Sequence, residues 1–356
     1  MLIKMFIYPR PTIFLMATNL SSTLPHDSHD PKNTTPPSKL AKHSQQDDLT
    51  QECHDLISSL AKEQGWILSH LYQYQGFWYP NTLFEGLLSC QRHFKARDTD
   101  IILITNPKCG TTWLKALAYA IVNRKINPPK EDNHPLLTNN PHELIPFLER
   151  KVYVDHQVLD LTESPSTRVF STHLPVELLP LSIKETKCKV VYLARDPKDA
   201  FISLWHFANK LRPQNSGKLQ LEEAFDKFCK GVSFCGPFWD HVLSSWKYSL
   251  DKPNKVLFLK YEELKEKPKL YLKKLAEFWG CPFSLEEENN GVVEEILSLC
   301  SFDNMRNLEV NKVGELNKSF FRKGEVGDWA NYFSQEMIEK FDEMFFDKFL
   351  QCGLKF

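Results

Sequence analysis

Four runs of aliphatic residues, widely spaced along the chain, set its framework. Ile101-Ile102-Leu103-Ile104 is closed by Asn106-Pro107, and Arg168-Val169-Phe170-Ser171-Thr172-His173 by Leu174-Pro175. Cys188-Lys189-Val190-Val191-Tyr192-Leu193-Ala194-Arg195 is closed by Asp196-Pro197, and Val256-Leu257-Phe258-Leu259-Lys260 runs into Tyr261 and a helix start. Short apolar runs bounded by turn residues predict buried strands. Proline ends a strand because it removes a donor and restricts the residue before it. Stretches of helical length separate these runs at 113–122, 200–210, 219–230, 236–250, 270–279 and from about 292 to 302. The last stretch, Gln335–Leu350, carries Ile338, Phe341, Met344 and Phe345 at helical spacing, which marks core packing. Strands alternating with helices predict an α/β domain, a central, mostly parallel sheet flanked by helices.

Upstream of the first strand, Leu49–Leu71 has helical periodicity, with Leu56, Ile57 and Leu60 on one side. Tyr72–Trp78 holds four aromatics, read as core packing rather than a wall for a flat ring. Leu83–Phe94 predicts a helix, and the charged residues at 95–100 a turn. Beyond the first strand and its helix, 127–140 is a proline- and asparagine-rich loop, and 141–149 a short helix start limited by Pro146. Ser21–Asp48 is rich in Ser, Thr, Pro, His, Asp and Lys, with too little apolar surface to order itself. Residues 1–48 are therefore expected to be a disordered extension, and 49–356 the folded domain. The apolar runs of Met1–Ala17 are too short to span a membrane and weak for a signal peptide, and Met16-Ala17 offers an alternative start.

Composition narrows the function. The 44 basic and 45 acidic residues leave a net charge of −1, so no global basic field points to nucleic acid. An anion site must be built from locally concentrated bases. The nine cysteines, an odd number, form no C-x-x-C pair and no histidine–cysteine metal spacing. Reduced thiols in the cytosol fit this pattern.

Candidate chemistry gathers at the strand ends, where open α/β sheets bind ligands. After the first strand, Lys108-Cys109-Gly110-Thr111-Thr112-Trp113 turns directly into a helix. Unpaired N–H groups and the helix dipole favour an anion there, Lys108 adds a mobile cation, and the threonines add neutral donors. Lysine precedes the only glycine, so this is not the G-x-x-x-x-G-K-[ST] triphosphate loop. A plain strand-to-helix turn is the bland alternative. Cys109 is either a small filler or a thiol whose pKa the dipole and Lys108 lower. His173 ends the second strand and Arg195 the third, with Ser203 eight positions later in the following helix. Arginine and serine together suit a phosphate, against the alternative of an ion pair between Arg195 and Asp199. Tyr261 ends the fourth strand. Arg322-Lys323-Gly324, set among Phe320, Phe321 and Trp329, can wrap an anion.

These segments, in this order, resemble the cytosolic sulfotransferases. The matches lie at 106–113, 171–175, 192–207 and 321–329, with Tyr261 and Cys300-Ser301-Phe302 at further matching places, so that the likeness runs from about residue 50 to 356. Asn140-Pro141-His142-Glu143 and the ending Gly353-Leu354-Lys355-Phe356 look like the plant branch, close to hydroxyjasmonate and flavonol sulfotransferases. The resemblance implies one domain with a P-loop-like strand–loop–helix. It also implies transfer of a sulfonate from 3′-phosphoadenosine 5′-phosphosulfate (PAPS) to a hydroxyl of a small plant metabolite, in the cytoplasm, without a metal. No nucleic-acid or membrane partner is expected, and the oligomeric state is expected to be a monomer or weak dimer. By the resemblance, Lys108, Cys109, Gly110, Thr111, Thr112 and Trp113 hold the 5′-phosphosulfate, and Trp113 and Phe302 sandwich adenine beside Cys300 and Ser301. Tyr261 reaches the adenine edge, and Arg195, Ser203, Arg322, Lys323 and Gly324 hold the 3′-phosphate. His173 is the base that takes the acceptor's proton, and Lys108 stabilises charge on the leaving phosphate.

The chain departs from the family pattern in three places. Asn106 and Cys109 replace the first tyrosine and the serine of Tyr-Pro-Lys-Ser-Gly-Thr-Thr-Trp. Ser171 stands where many animal members carry a lysine, and Ala330, Ser334-Gln335 and Glu339 occupy the family's dimer motif. Two rival classes are a kinase-like phosphoryl transferase, which needs magnesium and ATP, and a non-catalytic nucleotide-binding protein.

Overall fold

A computed structural model of the protein describes residues 51–152 and 167–356, and the expected disordered extension lies outside them. The four aliphatic runs are strands β4 (Ile101–Thr105), β5 (Val169–Thr172), β6 (Lys189–Ala194) and β7 (Val256–Lys260), numbered after three short strands upstream. They pair in parallel, in the order β5-β4-β6-β7. Alternation along each strand separates two apolar layers. Ile102, Ile104, Val190 and Tyr192 face an aromatic core with Phe84, Phe201, Phe228 and Phe341. Ile101, Leu103, Val191 and Leu193 face a smaller aliphatic core with Leu114, Leu117, Leu272 and Ile296. Because both faces are covered, the strands read as unbroken apolar runs.

Helices fill both layers. They are α1 (Gln51–Ser59), α2 (Phe84–His93), α3 (Thr111–Asn123), α4 (Pro197–Leu211), α5 (Leu221–Cys229), α6 (Phe238–Asp251), α7 (Pro268–Phe278), α8 (Val292–Leu299) and α9 (Gln335–Leu350), with shorter turns between them. Asp196 caps α4 by accepting from the backbone N–H groups of Lys198 and Asp199, with Pro197 at the first helical position. Among the described residues no helix is long and apolar enough to cross a membrane.

The region before β4 corrects the sequence reading. The helix expected over Leu49–Leu71 ends at Ser59. The chain then builds a three-stranded antiparallel sheet of β1 (Lys62–Gln64), β2 (His70–Tyr74) and β3 (Phe77–Tyr79). Gln75 and Gly76 take φ of 48° and 89° and join Tyr74 to its partner Phe77. Two successive positive φ values are the signature of a type I′ hairpin turn, whose twist matches its strands. Glutamine in the first place, instead of asparagine or aspartate, hides that signature. The hairpin is strapped to the loop before α6. Trp78 N–H donates to Gly236 O and Cys235 N–H to Trp78 O, each at 2.9 Å, and Trp66 Nε1 donates to Val232 O at 2.8 Å. Of the four aromatics read as core packing, Phe77 and Trp78 are buried, and Tyr72 and Tyr74 are half-buried against the core.

The charged segment 95–100 is only partly a surface turn. Asp100 is fully buried at the start of β4. Arg168, just before β5, donates to it from Nε at 2.8 Å and from Nη2 at 2.5 Å. This bidentate pair clamps the N-terminal ends of neighbouring strands.

Candidate active site

The parallel sheet sends four strand ends to one rim, and a cavity of about 350 Å³ opens there. It is lined by Lys108, Gly110, Thr111, Thr112 and Trp113 from the loop after β4, His173 after β5, Arg195 and Ser203 after β6, and Tyr261 after β7. Cys300, Ser301 and Phe302 follow α8 to its wall, and Arg322, Lys323 and Gly324 close it from the C-terminal segment. The structure thus brings fifteen of the sixteen candidates onto one surface. Cys109 is the exception. Its side chain is fully buried, and its N–H is already given to Asn106 O at 3.2 Å. Burial pushes its thiol up to about 12 and outweighs the nearby cations. The filler reading describes its side chain, and a lowered thiol pKa does not.

The loop is shaped by left-handed backbone. Lys108 has φ 70° and Gly110 φ 97°. A Cβ on Gly110 would lie 2.8 Å from the Tyr261 ring, so only glycine fits. For lysine, positive φ is strained, and such strain clusters at functional sites. The Lys108 ammonium sits over the Phe207 ring, 4.2 Å from its centroid, and donates to Ser319 O at 3.4 Å. Burial first, then repulsion from Arg195 and Arg322, lowers its pKa to about 7.

His173 is held from several directions. Its Nδ1 lies 2.7 Å from Thr105 O, a carbonyl that can only accept, so Nδ1 carries the proton and Nε2 the lone pair. Its N–H donates to Glu149 Oε1 at 2.8 Å, and its carbonyl accepts from His241 Nε2 at 3.0 Å. Burial, then the charge of Arg150, keeps the ring pKa well below the usual 6.5, so the imidazole is neutral at neutral pH.

The basic end of the cavity is braced by carboxylates. Arg195 donates from Nη2 to Glu325 O at 2.7 Å and lies 3.5 Å from Asp199. Asp199 in turn accepts the N–H groups of Gly327 and Trp329. The ion pair with Asp199 is therefore present, and the arginine still faces the cavity. Arg322 and Lys323 each reach Asp328 at 2.6 Å. Burial would raise Asp328, but the hydrogen bonds from Lys323 and Arg322 hold it down to about 2. The buried Nε atoms of Arg195 and Arg322 have no hydrogen-bond partner among the described residues, a donor surplus that fits an anion.

The far wall suits a flat ring. Trp113 packs edge-on to Tyr261 at 5.6 Å, and Tyr261 Oη donates to Gly324 O at 3.1 Å. Ser301 caps the next helical turn by accepting from Asn304 N–H at 3.3 Å, which places Phe302 at its first position. Gly324 has φ 67°, and a Cβ there would lie 2.5 Å from the Phe302 ring.

Sequence reasoning missed several lining residues. The hairpin region contributes Trp66, Ile67, Leu68 and Leu71, and the loop before α6 contributes Phe234. Phe147, Arg150 and a second histidine, His142, also face the cavity. His142 Nε2 lies 3.0 Å from Thr112 Oγ1 and its Nδ1 3.0 Å from Lys115 Nζ.

Comparison with known proteins agrees with this geometry. Residues 98–353 match the family model of the sulfotransferase domain. Cytosolic sulfotransferase 12 of Arabidopsis thaliana is 49% identical over 316 residues, 87% of this chain and 95% of its own length. The crystal structure of an Arabidopsis thaliana putative steroid sulphotransferase superposes with a TM-score of 0.70 at 44% identity, covering 87% of this chain and 97% of that one. Mouse sulfotransferase SULT7A1, solved with PAP, superposes at 0.61 with 29% identity, covering 78% and 93%. A tight loop with left-handed backbone after β4, bases lining the same cavity and a match of this extent lead to one assignment: this chain belongs to the sulfotransferase family and is an enzyme of sulfonate transfer.

Proposed function

We propose that the enzyme moves a sulfonate from PAPS to a hydroxyl of a small plant metabolite of the hydroxyjasmonate or flavonoid kind, in the cytoplasm, with His173 as general base. The observation that carries the base assignment is the ring polarity of His173. Its Nδ1–H is fixed on Thr105 O, so a neutral Nε2 is left to take the acceptor's proton. The acceptor oxygen then bonds to sulfur as the sulfur–oxygen bond to the phosphate breaks, and adenosine 3′,5′-bisphosphate leaves. In this reading Lys108 and the first N–H groups of α3 stabilise charge on that leaving phosphate. His142, the other cavity histidine, has Nδ1 engaged by Lys115 and Nε2 by Thr112, which leaves it no lone pair for this role. Turnover with PAPS and a panel of phenols and hydroxy acids, without added metal, tests the reading. Transfer from ATP that requires magnesium would replace it with phosphoryl transfer.

The placement of charge sets the expected nucleotide selectivity. Arg195→Ala and Arg322→Ala should each weaken binding of adenosine 3′,5′-bisphosphate about ten- to a hundredfold, the range of a charge-assisted contact. Both should be nearly indifferent toward adenosine 5′-phosphate, which lacks the 3′ group. Calorimetry with the two ligands checks this, and equal losses for both would misplace the arginines.

Proton uptake is a second consequence of that charge. With a pKa of about 7, Lys108 is largely neutral at pH 8 in the free enzyme. An anion beside it favours the charged form and raises that pKa. Binding of adenosine 3′,5′-bisphosphate at pH 8 should therefore take up close to one proton, roughly 0.9 from the free-enzyme pKa, and affinity should fall as pH rises above 7. Calorimetry in buffers of different ionisation enthalpy measures the uptake. Lys108→Met should abolish it, and equal uptake by wild type and variant would assign the proton elsewhere.

A further inference from the structure

We propose that Lys115 and His142 are positioning residues for the transfer reaction, together fixing the direction in which Thr112 presents its hydroxyl proton to the donor. The inference rests on the proposed sulfonate transfer, with the phosphosulfate at the Lys108–Trp113 loop.

Lys115 lies in α3, three residues after Thr112, and is fully buried. Its Nζ is 3.4 Å from the centroid of the Phe147 ring and donates to Ile145 O at 2.9 Å. Its contact with His142 Nδ1 is 3.0 Å. An ammonium has three donors and no acceptor, so Nδ1 must accept. A neutral imidazole then carries its proton on Nε2. Burial, then the charge of Lys115, keeps His142 neutral. That Nε2–H lies 3.0 Å from Thr112 Oγ1 and donates to it. The Thr112 hydroxyl keeps its own proton to give, and Thr112 lines the cavity. Both bonds run the same way, from the buried cation to the loop, and bonds aligned in one chain polarise each other.

The ring is braced for this task. The backbone N–H of His142 donates to Asn140 Oδ1 at 2.9 Å, and Asn140 Nδ2 donates to Asn311 Oδ1 at 2.8 Å. Phe147 stacks on one side at 5.5 Å and Phe320 lies at 4.3 Å. The Asn140-Pro141-His142-Glu143 segment thus acquires a physical purpose. The relay also brings a positive charge toward the loop from a different element than position 171. Ser171 is bonded instead to Pro146 O.

The ring state is tested first, on the wild-type protein with no turnover. Two-bond proton–nitrogen correlation should find His142, assigned through its own backbone, protonated on Nε2. Protonation on Nδ1 would overturn the proposal. Kinetics come second. Lys115→Met should lower kcat/KM about ten- to a hundredfold and release the His142 ring into a mixture of tautomers. Thr112→Val removes the end of the relay, so adding Lys115→Met to it should cost less than about threefold more. Independent, multiplying losses would overturn the relay. Thermal melting reports whether Lys115→Met folds, and if it does not, the wild-type ring state still decides. A wild type that transfers no sulfonate but shows the Nε2 proton would sink the function and leave the wiring. Active enzyme with the Nδ1 proton would sink the wiring alone.

Discussion

His173→Ala is expected to reduce sulfonate turnover by about 10²- to 10⁴-fold, the usual cost of losing a general base, while leaving binding of adenosine 3′,5′-bisphosphate nearly unchanged. An acceptor hydroxyl is a poor nucleophile until a base takes its proton. His173 alone among the cavity histidines pairs a neutral ring with an engaged Nδ1 and a lone pair on Nε2. Its backbone is fixed on both sides, by Glu149 and by a chain from Tyr192 Oη through His241, so truncation should not move the loop. Because its folded pKa lies well below 6.5, the wild-type rate should not fall with acid until well under that value. Single-turnover rates and nucleotide affinity, measured side by side, check both halves. A variant within about a factor of two of wild type would remove His173 from the chemistry.

The largest stability effect is expected at the opposite end of the sheet. Asp100→Ala should lower the unfolding free energy by roughly 3–5 kcal/mol, because it leaves the Arg168 guanidinium in the interior without its carboxylate. The pair is bidentate and both side chains are buried. Arg168 also donates to Lys95 O, and Arg97 N–H donates to Asp100, so the carboxylate organises the entry to β4 as well. Solvent screening, which makes surface pairs nearly worthless, does not operate here. Urea unfolding of wild type and variant measures the change. A loss under about 1 kcal/mol, the range of an exposed pair, would mean that water reaches the site.

The four sheet strands were legible because strands covered on both faces need continuous apolar residues, and each is followed by proline or a helix start. The site candidates were legible for a related reason: parallel strands deliver their ends to one rim, so Lys108, His173, Arg195 and Tyr261 had to converge. The β1–β3 sheet was not. Lys62-Glu63-Gln64 is wholly exposed and is held by its ladder to β2, a tertiary cause that leaves no local pattern. His142 and Lys115, 27 residues apart, escaped because their contact crosses between elements. One signal was available, a lysine amid the alanines of a helix read as buried. The burial of the Cys109 side chain was not legible because sequence shows its neighbours, and not the direction of its side chain.

The hairpin wall separates two kinds of heritable change. The residues proposed to hold the donor sit on sheet ends and on the C-terminal segment, where a substitution disturbs the frame. Ile67 and Leu68, both half-buried, instead come from the turn between β1 and β2, while Trp66 beside them is fixed in the aromatic core against Phe201 and Phe228. If that wall faces the acceptor, the enzyme can drift in what it sulfonates while the machinery that handles the donor stays under constraint. Gene duplicates of one ancestor would then diversify through this region first.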